Sequence, residues 1–563
     1  MRKIYRVREG ASANVHAELA EHPELLRELL FARGITDREN ARRFLSPSYE
    51  GDSHNPFLLP DMDTAALRVR RAAHANELVC VWSDYDCDGV PGGVMLSEFL
   101  REIGCRVRHY IPHRHEEGYG LNADGLRELA REGVTLVITV DLGISEVEHA
   151  LLARELGLDL IITDHHLPPP SLPEALAVLD PHRTDSPYPY RDLCGAGVAW
   201  KLVQAVLARE RFGLPEGREK WFLDLVGLAT LADMVPLTGE NRMLASYGLI
   251  VLRLARRPGL RALLSLLRID PRSLTEDDVT FMISPRINAA SRMDHPETAA
   301  RLLATHSAEE GAEFARTLNR INDERKGLVA STVKEARHRL REDASLAGDG
   351  PIVMGSPKWR PGVLGLVANA LRESEGRPVF LWGREGGESL KGSCRSDDVN
   401  VVELMRAAGD VLLQFGGHEF SGGFTVADER VHELLPRLAS AYERLRTGAP
   451  PVRDIALDRE LALADAERTL SHLQGLTPFG EGNKKPLFLF PGVSVSRIRT
   501  FGKNGDHLEL ILSKNEAEIS GVSFFSTPDS FEKPPQEGAR ADVVAHLERD
   551  FRGRARLRVV DVI

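Results

Sequence analysis

The sequence predicts a multidomain α/β protein with a parallel-sheet domain, a second α/β domain and a C-terminal β-barrel. Apolar runs alternate with helix-like segments from about residue 75, a pattern typical of a parallel sheet covered by helices. A similar alternation begins near residue 350, and short strand-like segments fill the tail beyond 452. At 563 residues the chain also exceeds one core, because domains average roughly 150 residues.

The composition is that of a globular protein in a reducing compartment. Hydrophobic residues make up 42% and charged residues 28% of the chain. No segment reaches the ~20 apolar residues of a membrane span, and the N-terminus lacks the apolar core of a secretory signal. The five cysteines show no spacing typical of a disulfide framework or a zinc site. We therefore expect a cytoplasmic protein, whose net charge of −11 does not exclude a local basic groove.

The elements follow one another in a clear order. Residues 1–60 form a predicted helical segment. The strands of the first domain are predicted in ELVCVW, CRVRHYIP, VTLVITV and LDLIIT, and its second half, about residues 190 to 300, is predicted to be mostly helical. A long connecting helix is expected over residues 307–343, because apolar residues recur there at helical spacing. The predicted boundaries are 1–60, 61–305, 306–345, 346–448 and 452–563.

Acidic and histidine side chains follow several of the buried segments of the first domain. They are Asp84, Asp86 and Asp88, then Asp141, then Asp164, His165 and His166, and finally Asp233. The carboxyl ends of parallel strands meet at one edge of the sheet, so these side chains should converge there. A single such cluster is often an ordinary turn, but convergence of several would be costly without neutralising cations. Carboxylate and imidazole ligands suit Mn²⁺ or Mg²⁺, and we expect two divalent ions.

Longer motifs carry a resemblance to a known family. DYDCDG, VDLGIS, TDHH and LADMVPL resemble the four signature motifs of the DHH phosphoesterase superfamily. PHRHEEGYGL, SPRINAASRMD, KGSCRS, FGGHEFSGG and TPFGEGNKKPLF resemble segments of its RecJ branch, which consists of single-strand 5′-to-3′ exonucleases. The resemblance covers nearly the whole chain and implies a DHH domain, a DHHA1 domain and a C-terminal oligonucleotide-binding (OB) fold. Trp82, Leu142 and Cys394 depart from the residues usual in the family.

The resemblance also implies roles for the residues at the sheet edge. Asp164 would orient the ring of His165, and His166 would face the scissile phosphate. Arg286 is a candidate to hold the scissile or adjacent phosphate, since a guanidinium group suits phosphate oxygens, with an ordinary surface arginine as the alternative. The implied metal ligands are Asp86, Asp88, Asp141, His165 and Asp233, with Asp84 either a ligand or a neighbouring acid.

A second implied site would recognise the 5′ end of the strand. Ser393 and Arg395 of the second α/β domain and Arg114 of the first would bind a terminal phosphate. The alternative is that Arg395 merely pairs with Asp397 or Asp398. The glycine-rich bend that includes Gly416, Gly417 and His418 is expected to let a phosphate backbone approach closely, or else to be an ordinary turn.

The barrel carries aromatic and basic residues that are candidates for binding single strands. Most phenylalanines at strand spacing belong to a core, so the basic residues are the stronger candidates. The aromatic candidates are Phe479, Phe488, Phe501, Phe524 and Phe525, and the basic ones are Lys484, Lys485, Arg497, Arg499 and Lys503.

The resemblance implies a metal-dependent exonuclease that releases 5′-mononucleotides from single-stranded DNA, in the 5′-to-3′ direction, in repair and recombination. One alternative is a DHH phosphodiesterase acting on short RNA or cyclic dinucleotides, although such relatives lack the C-terminal barrel. Another is a catalytically silent scaffold at a replication fork, although such proteins tend to lose their ligands. The expected partners are single-stranded DNA, RNA as a second substrate, and a single-strand-binding protein or helicase. The chain is expected to be monomeric.

Overall fold

The described part of the N-terminal segment consists of one strand, four short α-helices and a 3-10 helix (Pro56–Leu58). The computed structural model describes all residues except 1–2, 115, 344–345, 347, 385–388, 447–452, 503–504, 506 and 551. The segment's elements are β1 (Lys3–Val7), α1 (Ala13–Glu18), α2 (Glu24–Phe31), α3 (Arg38–Leu45) and α4 (Tyr49–Asp52). Helices α1, α3 and α4 begin at side-chain caps, in which Ser12, Asp37 and Ser48 accept a hydrogen bond from a backbone N–H of the first turn.

A five-stranded parallel sheet lies at the centre of the first large domain. Its strand order is β3-β2-β4-β5-β6, which places β2 and β4 in the middle. Strands β2 and β4 are buried along almost their whole length because helices cover both faces of the sheet. The elements are α5 (Met62–His74), β2 (Leu78–Ser83), α6 (Gly89–Glu102), β3 (Arg106–Tyr110), α7 (Ala123–Arg131), β4 (Leu136–Val140), α8 (Val147–Glu155), β5 (Asp159–Thr163) and β6 (Ala177–Leu179).

The second half of this domain is helical, as predicted, and leads into the long connecting helix. Helices α12 and α15 cross at two glycines, which allow their backbones to approach closely. A Cβ on Gly311 of α15 would lie only 2.8 Å from Cα of Gly259 of α12. The helices are α9 (Gly195–Arg209), α10 (Leu223–Ala232), α11 (Gly239–Arg253), α12 (Pro258–Leu267), a π-helix (Asp278–Ile283), α13 (Ser284–Met293), α14 (Glu297–Ala304) and α15 (Ala308–Glu342).

The second α/β domain contains a mixed sheet with the order β10-β11-β9-β8-β7. Only β7 and β8 are parallel, and the remaining pairs are antiparallel. Its elements are β7 (Ile352–Ser356), α16 (Pro361–Glu375), β8 (Val379–Gly383), β9 (Ser389–Arg395), α17 (Val401–Ala408), β10 (Leu412–His418), β11 (Ser421–Ala427) and α18 (Val431–Leu445).

The C-terminal region closes into a five-stranded barrel that fits an OB fold. Its strands pair in the order β14-β15-β16-β18-β17, and β17 pairs again with β14. The region's elements are β12 (Arg453–Leu457), β13 (Arg459–Glu460), α19 (Ala466–Leu473), β14 (Phe488–Phe501), β15 (His507–Lys514), β16 (Ala517–Phe524), β17 (Arg540–Arg549) and β18 (Ala555–Val562).

The N-terminal segment shares a hydrophobic core with the barrel. Leu29 and Leu30 of α2 are fully buried and belong to the same cluster as Phe488 and Phe490 of β14. Strand β1 also pairs in parallel with β12. The N-terminal segment and the barrel, although separate in the predicted division, are therefore packed as one unit. Among the described residues, no helix is both long and apolar enough to cross a membrane.

Candidate metal centre and nucleic-acid interface

The carboxyl edge of the parallel sheet gathers the predicted acidic and histidine residues. Asp84, Asp86 and Asp88 lie in the turn between β2 and α6, and Asp141 follows β4. Asp141 adopts a left-handed φ of 65°, and a Cβ on the neighbouring Gly195 would lie 2.5 Å from Cβ of Asp141. A glycine at position 195 therefore permits the close approach of α9 to this aspartate.

Backbone groups hold two of the aspartates of the acidic turn. The Asp88 carboxylate accepts hydrogen bonds from the N–H groups of Gly195 (2.6 Å) and Ala196 (2.8 Å) at the N-terminus of α9. A helix N-terminus favours negative charge, so α9 fixes this carboxylate at the sheet edge. Oδ1 of Asp86 accepts from the N–H groups of Asp88 and Gly89, which closes the turn.

His165 stands at the centre of the cluster. Its Nε2 lies 3.2 Å from Oδ1 of Asp141. The same nitrogen lies 3.8 Å from Oδ2 of Asp233 and 3.9 Å from Oδ2 of Asp88. Three sets of side chains each bring their ligand atoms within 4.8 Å of one another: Asp84, Asp86 and Asp141; Asp88, His165 and Asp233; and Asp141, His165 and His166.

The chemistry of this donor set fits divalent cations. Burial and the neighbouring acids raise the pKa of Asp88 to about 7. The same causes raise the pKa of Asp84, Asp141 and Asp233 well above the ordinary value. Oδ1 of Asp84 and Oδ1 of Asp141 are buried without a hydrogen bond among the described residues. Such charges are stable in the ionised form only when a cation neutralises them, and oxygen and imidazole ligands suit Mn²⁺ or Mg²⁺.

Asp164 orients His166 rather than the expected ring of His165. Its Oδ1 accepts a hydrogen bond from Nδ1 of His166 at 2.8 Å, and its contact with His165 is to the backbone N–H. Burial opposes protonation of His166, but the bond to Asp164 raises its pKa to about 9. Burial lowers the pKa of His165 to about 4, which leaves that imidazole neutral and able to bind a metal.

Arg286 lies on α13, the helix that also contacts the acidic turn. Its Nη1 donates to the carbonyl of Met282 in the π-helix (2.6 Å), and its Nε donates to Asn319 of α15 (3.0 Å). Asn288 of the same helix accepts from the Cys87 N–H at 2.8 Å. The structure thus anchors Arg286 by the π-helix and α15, on a helix tied to the turn that bears the three aspartates.

Two residues beside the acidic turn were missed from the sequence. Arg292 is the second arginine of the SPRINAASRMD motif, and burial followed by the proximity of Arg114 lowers its pKa to about 10. Arg114 stacks over the ring of Tyr85, 4.8 Å from its centroid, so both arginines lie next to the acidic turn. Tyr119, in the EEGYGL motif, donates from its hydroxyl to the carbonyl of Asp141 at 3.3 Å. The position of Arg292 and Tyr119 inside two of the recognised motifs was the sequence signal that could have identified them.

Helix α16 joins this basic region to Ser393 and Arg395. Arg292 donates to the carbonyl of Gly362 in the first turn of α16 (3.3 Å). One turn later, a Cβ on Gly365 would lie 2.9 Å from Nη2 of Arg395 and 3.8 Å from Oγ of Ser393. The sequence alternative of an ion pair for Arg395 is not found in the described part of the chain. Its Nη1 donates to the Cys394 carbonyl (2.7 Å).

The two acids proposed as partners of Arg395 are engaged elsewhere. Asp397 pairs with Arg372, and Asp398 accepts hydrogen bonds from Ser396 and Tyr442. The Arg395 guanidinium therefore remains free of both carboxylates, beside a serine hydroxyl and close to the start of a helix.

The predicted glycine-rich bend is the hairpin between β10 and β11. Gly417 has a φ of 144°, and a Cβ there would collide with the Ser421 carbonyl, so the turn itself requires this glycine. Gly416 is different, because a Cβ on it would meet nothing within 4 Å. His418 pairs with Ser421, which in turn pairs with Arg395. The bend therefore continues the sheet outward from Arg395.

The aromatic candidates on the barrel fall into a buried and an exposed group. Phe488 is fully buried, which makes it wrong as a base-stacking candidate, and Phe479 packs partly buried against the same core. Phe525 is 83% exposed, and its ring lies 4.9 Å from that of His507. Phe501 and Phe524 complete this ring cluster around His507.

The basic candidates on the barrel divide in the same way. Arg497 and Arg499 are exposed on β14, whereas Lys485 pairs with Asp277 at 2.6 Å. The side chain of Lys484 is largely exposed. Lys503 lies outside the described residues.

Three family profiles match the chain along most of its length. The DHH family N-terminal domain matches residues 78–230, the DHHA1 domain matches residues 349–444, and the RecJ OB domain matches residues 457–560. Their order is that of the three folded regions described above.

Several curated relatives share about a third of their residues with the chain. The single-stranded-DNA-specific exonuclease RecJ of Bacillus subtilis is 34% identical over 89% of this chain and 63% of its own length. The chain thus spans less than two thirds of that relative. The RecJ of Dickeya dadantii is 32% identical over 83% of both chains, and that of Haemophilus influenzae is 30% identical over 92% of this chain and 91% of the relative.

Solved structures of the same family superpose on the whole chain. The crystal structure of RecJ in complex with Mn²⁺ from Thermus thermophilus gives a TM-score of 0.83 at 30% identity, and covers all of this chain and 80% of that one. The Mg²⁺ complex from the same organism gives a TM-score of 0.77 at 29% identity, with coverage of 100% and 78%. Both structures contain a metal of the kind that the donor set fits.

Proposed function

The chain belongs to the RecJ family of DHH phosphoesterases, and we propose that it is a metal-dependent exonuclease specific for single-stranded DNA. One observation carries the proposal: the acidic and histidine cluster at the sheet edge lies directly beside a cluster of arginines. Arg114 stacks on Tyr85, which stands between Asp84 and Asp86 in the acidic turn. A phosphodiester placed between the two clusters would face ligands for cations on one side and guanidinium groups on the other.

The proposed ligands form two groups, and Asp141 of the first group also lies beside His165 of the second, so that this carboxylate would share in holding both ions. Asp84, Asp86 and Asp141 would hold one ion, and Asp88, His165 and Asp233 would hold the other. When bound, two divalent ions activate a water molecule and neutralise the charge that develops on the phosphate. The protein holds the carboxylates in place through the α9 N-terminus and the closed acidic turn.

His166 is the proposed contact to the scissile phosphate. Asp164 accepts from its Nδ1, so its Nε2 is directed away from that carboxylate and can donate a hydrogen bond to a phosphate oxygen. Tyr119 packs against the His166 ring with centroids 6.4 Å apart, which restricts the ring further. Arg286 is proposed to bind the same or the adjacent phosphate, since the π-helix and α15 anchor its side chain and α13, which carries it, is bonded to the acidic turn.

The proposed 5′ end site contains Ser393, Arg395 and Arg114. A terminal phosphate carries more charge and one more free oxygen than an internal phosphodiester, so two guanidinium groups and a hydroxyl can distinguish it. The support is that Arg395 is free of the carboxylates of Asp397 and Asp398. This site would select the 5′-to-3′ direction and the release of mononucleotides.

The strand is proposed to continue over the β10–β11 hairpin and the barrel. Glycine weakens a strand, and no residue that the structure describes would exclude a side chain at Gly416. Close approach of a phosphate backbone at Gly416, Gly417 and His418 accounts for that glycine. On the barrel, the ring cluster of Phe525 is the proposed platform for bases.

The alternative functions receive less support. A phosphodiesterase of short RNA or cyclic dinucleotides would not need a RecJ OB domain, which matches at residues 457–560. A silent scaffold would not need the complete donor set at the sheet edge. We also propose a role in repair and recombination, a cytoplasmic location and a monomeric state. A single-strand-binding protein or helicase remains the proposed protein partner, and the domain boundaries predicted from the sequence remain proposals.

The test is digestion of single-stranded DNA and RNA labelled at either end, with Mn²⁺ or Mg²⁺ added. The expected result is release of labelled mononucleotide first from the 5′ label on DNA, and none in the presence of a chelator. Release first from the 3′ label would contradict the proposed direction. Faster cleavage of RNA would contradict the proposed substrate.

A further inference from the structure

The loop that leads into the barrel is held by buried hydrogen bonds. This connecting loop, residues 477–486, has the sequence TPFGEGNKKP. The side chain of Asn483 is fully buried, and its Nδ2 donates to the carbonyls of Leu476 (2.7 Å) and Pro478 (2.8 Å). Its Oδ1 accepts from Arg33 of the N-terminal segment at 2.6 Å. Buried polar groups whose hydrogen bonds are all satisfied make a loop more rigid.

The connecting loop touches the segment that follows Asp233. The Leu237 N–H donates to the carbonyl of Glu481 at 2.7 Å. A Cβ on Gly480 would lie 2.7 Å from the Leu237 side chain, so the two segments are in close contact. Between Asp233 and Leu237, Met234 holds a left-handed φ of 62°. A residue other than glycine in that conformation is strained, and the contact at Leu237 lies three residues beyond it.

The connecting loop also touches the residues directly before the π-helix. The Phe479 N–H donates to Oε1 of Glu276 at 3.0 Å, and Nζ of Lys485 lies 2.6 Å from Oδ2 of Asp277. Glu276 is buried, and only 19% of the Lys485 side chain is exposed. The π-helix begins directly after Asp277, and the carbonyl of its Met282 accepts the hydrogen bond from Arg286.

The π-helix in turn contacts the end of α10. Thr280 Oγ1 donates to the carbonyl of Leu231 at 3.4 Å, two residues before Asp233. Single turns of π-helix occur often at functional sites because they redirect the side chains that follow. The connecting loop therefore contacts the segment that follows Asp233, at Leu237, and the start of the π-helix to which Arg286 is bonded.

We infer that the connecting loop positions the catalytic residues Asp233 and Arg286, with Lys485 and Glu276 as positioning residues. The inference rests on the proposed function and extends it, because it assigns the barrel's attachment a role in the rate of cleavage as well as in affinity. Lys485 acts through Asp277 and the π-helix, and it does not bind the strand.

The test separates cleavage rate from affinity. The maximal single-turnover rate is measured at saturating enzyme with Mn²⁺ on a 5′-phosphorylated single strand, and Kd is measured separately by fluorescence anisotropy. Lys485→Ala and Asp277→Asn should each lower the maximal rate about threefold to tenfold, with Kd changed by less than about twofold. The double variant should be no slower than either single one, and Lys485→Arg should retain most of the rate because it keeps the ion pair.

The matched control is Glu481→Ala, because the loop uses the carbonyl of Glu481 and its side chain is about half exposed. This variant should leave the maximal rate unchanged. Asp277→Asn preserves the shape of a partly exposed side chain, so this variant is expected to fold. Its melting temperature checks that expectation. An unchanged maximal rate, or a loss confined to Kd, overturns the inference. Absence of cleavage by the wild-type protein would instead mean that the proposed function fails.

Discussion

Nε2 of His165 lies 3.2 Å from Oδ1 of Asp141, and no hydrogen bond joins the two atoms. The residues follow β5 and β4, which are neighbours in the parallel sheet. Two potential ligand atoms held this close without bonding to each other are arranged for a shared third partner. The register of the sheet thus determines the spacing of the proposed metal ligands.

Asp141→Ala is expected to reduce cleavage below about 1% of the wild-type rate, because two of the three ligand sets contain this carboxylate. Release of labelled nucleotide with Mn²⁺ or Mg²⁺ measures the loss, and melting curves with and without Mn²⁺ measure metal binding. The variant should fold and should lose the metal-dependent rise in melting temperature. Asp185→Ala, which removes an exposed carboxylate paired with Arg183, is the control. Substantial activity in the Asp141 variant would disprove the shared role.

Arg395→Ala is expected to lower activity on 5′-phosphorylated strands far more than on 5′-hydroxyl strands. The difference should be about 1.5–3 kcal/mol, the value of a hydrogen bond to a charged group. The measurement is kcat/KM on the two substrates. Arg372→Ala is the matched control, because Arg372 lies nearby and pairs with Asp397. Equal losses on both substrates would show that Arg395 does not recognise the terminal phosphate.

Gly365→Ala is expected to separate stability from 5′ end recognition. Alanine in a helix is favoured over glycine by about 1 kcal/mol, so the melting temperature should not fall. The new Cβ would lie 2.9 Å from Nη2 of Arg395, so the guanidinium must move. Discrimination between 5′-phosphate and 5′-hydroxyl strands should therefore decrease. Undiminished discrimination would mean that the position of Arg395 beside α16 is unimportant.

Phe525→Ala is expected to weaken binding of single-stranded DNA by about 1 kcal/mol or more, the value of stacking one base on an aromatic ring. The ring is 83% exposed, so its removal should not destabilise the barrel. Val560→Ala, which shortens another exposed apolar side chain of the barrel, is the control. The measurement is Kd by anisotropy, and a Kd equal to that of the control would rule out the proposed platform.

The parallel sheet and the convergence at its edge were predictable because both follow from short-range patterns. The end of each strand is visible in the sequence as the end of an apolar run. Parallel strands must place their carboxyl ends along the same edge of the sheet. The ring that Asp164 orients was not predictable, because His165 and His166 are adjacent and only the side-chain geometry distinguishes them. Arg292 was missed because its neighbours Arg114 and Asp86 lie far away in sequence.

Packing explains the residues that depart from the family pattern. Trp82 is buried and stacks on Tyr110 with ring centroids 4.1 Å apart, while its Nε1 donates to the Gly120 carbonyl. Leu142 and Cys394 are also fully buried. These departures alter the cores beneath the site and leave its donor set intact. The sequence already indicated that none of these departures removes a predicted ligand, but it could not show how the new side chains pack.

The core that α1 to α3 share with the barrel sets an order of events during synthesis. Residues 13–45 leave the ribosome long before the barrel is complete, because about 520 residues separate Leu45 from Val562, the last residue of β18. At ~5–20 residues per second, the apolar faces of the early helices wait roughly 25 to 100 s for the strands that cover them. During that interval these helices are exposed to aggregation or to capture by chaperones. The nascent chain must therefore keep its earliest helices soluble until its last strands arrive.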